Sequence, residues 1–142
     1  MKLGLIFVEA AHKIMSNFLI NIFLVFAFLF GGSPISNELN EAFKVGDSAK
    51  ISSYFGESVD LNIPNNEGVY SKIQAKLILK TFFLKNSPSD FKIVHNGESK
   101  NNSHYSIGNL TTNKGMYRVY ILYKTGQDKK TTILELRIES DE

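Results

Sequence analysis

The sequence predicts an α+β domain, with helices packed on the concave face of a curved, mostly antiparallel sheet. Three observations predict it. Gly68–Asn86 carries apolar residues at helical spacing behind a start signal, Ser71. After Pro88 the apolar period drops from about 3.6 to 2 and stays there to the end of the chain. The helical patterns come first and the long strands last, which separates α+β from alternating α/β organisation.

Length and composition set the bounds. The chain has 142 residues, which accommodates one domain with one modest core. Sixteen basic residues face 14 acidic ones, a net charge of +2, too balanced to point to nucleic acid or an anionic membrane as partner. Cysteine is absent, which excludes disulfides, thiolate metal sites, a Cys nucleophile and a lipidated N-terminal Cys.

Residues 1–36 read as a signal peptide or N-terminal hydrophobic anchor, and 37–142 as the single folded domain. Lys2, His12 and Lys13 precede an apolar run, Phe18–Phe30, broken only by Asn21. Gly31, Gly32 and Ser33 follow, so the pattern is that of an exported protein. Gly31, Ser33 and Ser36 are the candidate cleavage positions, and Met15 is an alternative start. The run is shorter than the about 20 residues a spanning helix needs. Counted from Ile14 it reaches the lower edge of spanning length, so an uncleaved anchor over 14–30 is the alternative.

Ser36-Asn37-Glu38 opens the first domain helix, with Leu39, Ala42 and Phe43 as its inner stripe. Gly46-Asp47 interrupts it. Asp47 then caps a second piece, Ser48 to Tyr54, with Ile51, Tyr54 and Phe55 inward and Gly56 as its end. Ser58–Pro64 alternates and predicts a half-buried strand, with Pro64 ending it or putting it at an edge. Asn65–Gly68 is a turn, and Val69-Tyr70 a short bridge. The central helix then presents Ile73, Leu77, Ile78, Thr81, Phe82 and Leu84 inward and Lys72, Lys76 and Lys80 outward. Lys85–Pro88 closes it.

Four strands follow, separated by turn chemistry near 96–103, 113–115 and 126–130, which predicts an antiparallel meander. The more apolar parity (Phe91, Ile93, Tyr117, Val119, Ile121, Leu134, Leu136, Ile138) is assigned to the helix-covered face. Val94, Met116, Tyr120 and Leu122 then fall on the other face, an apolar patch of the kind that marks an interface. A sheet-to-sheet homodimer is the expectation drawn from it.

Several phrases resemble a known family when taken in order. They include Glu41-Ala-Phe-Lys-Val-Gly-Asp, Glu67-Gly-Val-Tyr-Ser-Lys, Ile78-Leu-Lys-Thr-Phe-Phe, Phe91-Lys-Ile-Val-His-Asn-Gly, Tyr105-Ser-Ile-Gly-Asn-Leu and Leu136-Arg-Ile-Glu. Over about residues 37–140 the chain resembles small exported bacterial proteins of unknown function built on the nuclear-transport-factor-two-like cone. The resemblance implies that fold and carries no activity with it. The wider superfamily holds isomerase- and dehydratase-like enzymes as well as binding and assembly modules, and a fold does not choose among them.

A pocket in such a cone would open between the helices and the inward strand face. The polar side chains expected there are His95, Tyr105, Asn109, Tyr117 and Tyr123, with Tyr54 and Tyr70 at the rim. They could orient a small-molecule ligand, or they are core aromatics whose polar tips find partners. No acid falls on the inward parity, which argues against acid–base catalysis. The three His residues do not cluster, and no phosphate loop or Gly-x-Ser-x-Gly turn exists, so no catalytic residue, metal or cofactor is assigned. The expected function is an exported, non-catalytic domain that binds a small ligand or protein partner through its pocket or sheet face. The alternative is an isomerase- or dehydratase-type enzyme using the inward Tyr and His residues.

Overall fold

The computed structural model describes residues 2–27 and 35–141. An N-terminal helix, α1 (Lys2–Ala27), belongs to one compact unit, and the remaining elements form the other. The side chains of α1 from Lys2 to Met15 are exposed. Among the described residues no helix is long and apolar enough to cross a membrane. The end of the apolar run and the cleavage candidates Gly31 and Ser33 lie outside the described residues.

The second unit contains α2 (Asn37–Val45), α3 (Ser48–Ser53), β1 (Phe55–Ile63), β2 (Asn66–Ser71), α4 (Lys72–Lys85), β3 (Pro88–Glu98), β4 (Ser103–Thr112), β5 (Gly115–Thr125) and β6 (Thr131–Ser140). It is the expected α+β arrangement. Ser36 caps α2, its hydroxyl accepting from Leu39 N at 3.2 Å. Gly46 ends α2 in the left-handed region at φ 71°, and a Cβ there would stand 2.9 Å from Pro88. Asp47 caps α3 by accepting from Lys50 N at 2.9 Å.

Helix α3 stops earlier than expected. Its pattern predicts helix to Tyr54, but Phe55 already pairs with Ile133 and Tyr54 O accepts from Ile133 N at 2.8 Å. Long-range pairing thus overrides the local pattern. The expected short bridge at Val69-Tyr70 is a full strand, β2, joined to β1 through Asn65 at φ 68°. Asn tolerates that conformation, which lets two residues turn the hairpin.

All six strands form one sheet, in the order β2-β1-β6-β5-β4-β3. The last four make the expected antiparallel meander, and β1 joins β6 in parallel. Helices α2 and α4 lie over one face. Leu39, Phe43, Ile51, Leu79, Phe91, Leu110, Val119, Ile121 and Leu136 fill the space between, each at most 2% exposed. Phe43 and Phe91 meet at 4.9 Å between ring centroids. Burying one such ring contributes about 1.5–3 kcal/mol.

Helix α4 begins in a complete capping box. Ser71 Oγ accepts from Gln74 N at 3.3 Å, and Gln74 Oε1 accepts from Ser71 N at 3.1 Å. Its inner face differs from expectation. Ala75, Leu79, Phe82 and Phe83 are buried, whereas Ile73, Leu77 and Leu84 are 74%, 57% and 74% exposed. Apolar residues occupy both sides of this helix, so periodicity alone admits either face.

Three strands correct the sequence assignment of faces. On β3 a bulge between Ile93 and His95 turns His95 away from the helices, and Val94 sits in that irregularity. On β4 the helix-facing set is Ser106, Gly108, Leu110 and Thr112, so Tyr105, Ile107 and Asn109 face the other way. The cause is steric. A Cβ on Gly108 would stand 2.5 Å from the Phe91 ring, so Phe91 occupies the volume that a larger residue would need. On β6 a register shift puts Ile133, not Leu134, in the core.

Candidate functional site

Two clusters of polar and aromatic side chains arise from this register, one on each face of the sheet. The first lies on the face opposite α2–α4. His95 Nε2 and the Tyr105 hydroxyl are 3.1 Å apart. The Tyr105 ring stacks on Tyr120 at 5.9 Å between centroids and 24° between planes. Arg137 lies over the Tyr120 ring, 5.7 Å from its centre. Glu135 accepts from the same guanidinium at 2.7 Å, and Glu139 stands 3.7 Å from it. Four adjacent strands, β3 to β6, therefore contribute one continuous row. Burial, and next the Glu135 carboxylate, raise the Tyr120 phenol above its ordinary pKa.

Leu122 is half-buried beside this row, and Met116 and Val94 are 45% and 58% exposed. Asn109 is on the same face, its Oδ1 buried without a hydrogen-bond partner. The four residues expected to form an interface patch, Val94, Met116, Tyr120 and Leu122, thus have His95, Tyr105 and Asn109 as neighbours. Those last three were expected on the inward face.

The second cluster lies on the helix-facing side. Tyr123 is 1% exposed, and burial raises its phenol pKa, an effect that Ser106 opposes by hydrogen bonding. Ser106 Oγ stands 3.5 Å from the Tyr123 hydroxyl and donates to Asn96 Oδ1 at 2.6 Å. His104 packs on the Tyr123 ring at 5.8 Å, and its Nδ1 is buried with no hydrogen-bond partner. Tyr123 was expected inward. Asn96, His104 and Ser106 were not: the β3 bulge hid Asn96, and the parity that misplaced Tyr105 hid His104 and Ser106. The readable signal was the pair of glycines, Gly97 and Gly108, each opposite a large aromatic ring.

The other three Tyr residues have local partners. Tyr117 donates to Asn86 Oδ1 at 2.9 Å and meets Phe82 edge-on, which ties β5 to the end of α4. Tyr54 donates to Glu38 at 2.8 Å, and Tyr70 to Glu67 O at 3.4 Å within its own hairpin.

Chemically, the helix-facing cluster offers neutral donors and one imidazole. Asp60, Asp90, Glu135 and Glu139 align with residues of the opposite face, whereas Glu98, exposed at the end of β3, pairs with His104 and shares its parity. Among the described residues no group of three or more His, Asp or Glu could hold a metal ion. The row on the other face offers aromatic area, one guanidinium flanked by the Glu135 and Glu139 carboxylates, and apolar neighbours.

Comparison with known proteins bears on the family and the fold. None of the curated proteins compared with the chain matches it. A DUF4783 protein from Bacteroides ovatus is 32% identical, covers 78% of this chain and 99% of its own, and superposes with a TM-score of 0.69. One from Bacteroides fragilis is 34% identical over 75% and 99%, with a TM-score of 0.68. The protein described as Rd1NTF2_04 with long sheet matches at 18% identity over 72% and 94%, with a TM-score of 0.56. At that identity it bears on the fold alone, which is nuclear-transport-factor-two-like. The model of the domain of unknown function DUF4783 matches residues 36–139, and the chain belongs to that family.

Proposed function

We propose that the protein is an exported, non-catalytic binding domain that engages a protein partner through the sheet face opposite its helices. A second copy of the chain is the simplest such partner. The observation that carries this reading is the row His95–Tyr105–Tyr120–Arg137, which crosses four strands on that face. Stacked Tyr rings and Arg are the side chains most enriched where interfaces concentrate their energy. Export rests on the basic start, the apolar run and the small residues that follow it.

Sedimentation velocity at concentrations on the order of tens of micromolar tests the dimer. A dimer that dissociates in Tyr120→Ala and Arg137→Ala supports it, with the dissociation constant rising at least about tenfold in each. A monomer at these concentrations ends the homodimer reading. Fractionation of the native host tests export, with the chain expected outside the cytoplasm.

Small-ligand binding, or an isomerase- or dehydratase-type activity, is the second reading. It is favoured by one observation, the buried and unpartnered Nδ1 of His104 beside Tyr123. A ligand that co-purifies in native mass spectrometry, and is lost in His104→Ala, would support it.

A further inference from the structure

Helix α4 is apolar on two sides, and among the described residues α3 and the sheet cover only one of them. Ile73, Leu77 and Leu84 follow one another along the uncovered side. Of these, Leu84 lines a groove between α4 and the α2–α3 turn, together with Val45, 67% exposed at the end of α2. The groove encloses about 560 Å³. Val45, Phe83, Leu84 and Pro88 supply its apolar wall, and Lys76 and Lys80 its charge. A helix apolar on both sides is built to be covered on both.

Charge indicates what covers it. Helix α4 carries Lys72, Lys76, Lys80 and Lys85 and no acid. Lys44, Lys50, Lys92, Arg118 and Arg137 each have a carboxylate within 4.0 Å, whereas Lys76 and Lys80 have none among the described residues. Lys72 reaches only a carbonyl, Ser53 O, at 3.3 Å. The one acid on the groove, Asp47, is engaged in capping α3. Two copies of α4 packed face to face would bring like charges together, so a second copy of this surface does not fit. A lipid leaflet meets convex surface, whereas here the apolar side chains and the two cations converge in a groove.

We propose that this groove is the docking site for an acidic amphipathic helix of another protein. Its carboxylates lie against Lys76 and Lys80, one helical turn apart, and its apolar side chains enter beside Val45 and Leu84. The surface is distinct from the sheet face discussed above, so either can fail without the other.

The test uses the full chain and fluorescein-labelled helical peptides with Leu at i, i+3, i+4 and i+7 and either Glu or Lys on the flanks. Anisotropy should show the Glu peptide binding and the Lys peptide not, with affinity falling as salt rises. The double variant Lys76→Glu/Lys80→Glu should weaken the Glu peptide at least about tenfold while circular dichroism stays unchanged. Leu84→Ser should weaken it as well. Failure of the Glu peptide to bind, equal binding of both peptides, or full binding by the double variant would each overturn the proposal. So would vesicles of phosphatidylcholine and phosphatidylglycerol binding in place of the peptide and being released by the double variant.

Discussion

The ring of Tyr105 lies across the α-carbon of Gly97 on the neighbouring strand. A Cβ at position 97 would stand 2.5 Å from the Tyr105 Cζ. Glycine on β3 is therefore what allows Tyr105 to stack on Tyr120 and meet His95. Gly97→Ala should displace the ring and destabilise the domain by about 1–3 kcal/mol. Thermal unfolding followed by circular dichroism checks this. An unchanged midpoint would mean that the ring moves aside freely and that the row is not a rigid unit.

Phe43 on α2 and Phe91 on β3 are the contact through which the helix layer grips the sheet. Phe43→Ala should cost about 3–5 kcal/mol, a large part of the about 5–15 kcal/mol that holds a domain together. Urea titration should give a much lower midpoint with little change in slope. A loss under about 1 kcal/mol would show that the site collapses around the deletion.

Tyr117 and Asn86 join β5 to the C-terminal end of α4. Asn86 also donates to Phe82 O at 2.9 Å, so a single side chain caps the helix and accepts from the strand. Tyr117→Phe removes the hydroxyl and keeps the edge-on contact with Phe82. A loss of about 0.5–1.5 kcal/mol is expected, read by chemical denaturation. Faster hydrogen exchange in the last turn of α4 should accompany it.

Glu38 and Lys50 form an ion pair that ties the start of α2 to α3, and Tyr54 donates to the same carboxylate. The hydrogen bond from Lys50, and next that from Tyr54, lower the Glu38 pKa from its ordinary 4.5. A carboxyl depressed on folding contributes stability above its unfolded pKa and loses it as pH falls through the folded value. The contribution should therefore be present at neutral pH and disappear below about pH 4.5. Unfolding midpoints against pH check this. Glu38→Gln should be less stable than the native chain at pH 7 and should converge with it in acid, the gap narrowing in high salt. Parallel curves would show that the pair does not titrate with folding.

The order of elements was legible in the sequence because caps, turns and period are local. Ser71 and Asp47 cap the helices they were expected to cap, and of Ser36 and Asn37 it is Ser36 that caps α2. Which face each residue takes was less legible, because on a strand one extra residue reverses the answer. The bulge beside Val94 and the shift at Leu134 are such residues, and neither carries a sequence mark of its own. On β4 the apolar count favoured Tyr105 and Ile107 as core. Packing chose the parity of Ser106 and Gly108, with Phe91 filling the space above Gly108. The candidate sites depended on those three decisions. The sequence therefore named most of the aromatic side chains involved and put His95, Tyr105 and Asn109 on the wrong side of the sheet.

The strand order has a temporal consequence. Strand β6, the last in the chain, sits between β1 and β5 in the middle of the sheet. Until residues 131–140 are free, the β1–β2 hairpin has no sheet to join and the β3–β5 meander has only one finished edge. A chain threaded from its N-terminus through a narrow conduit would stay uncommitted along most of its length, then close in one late event when its final strand arrives.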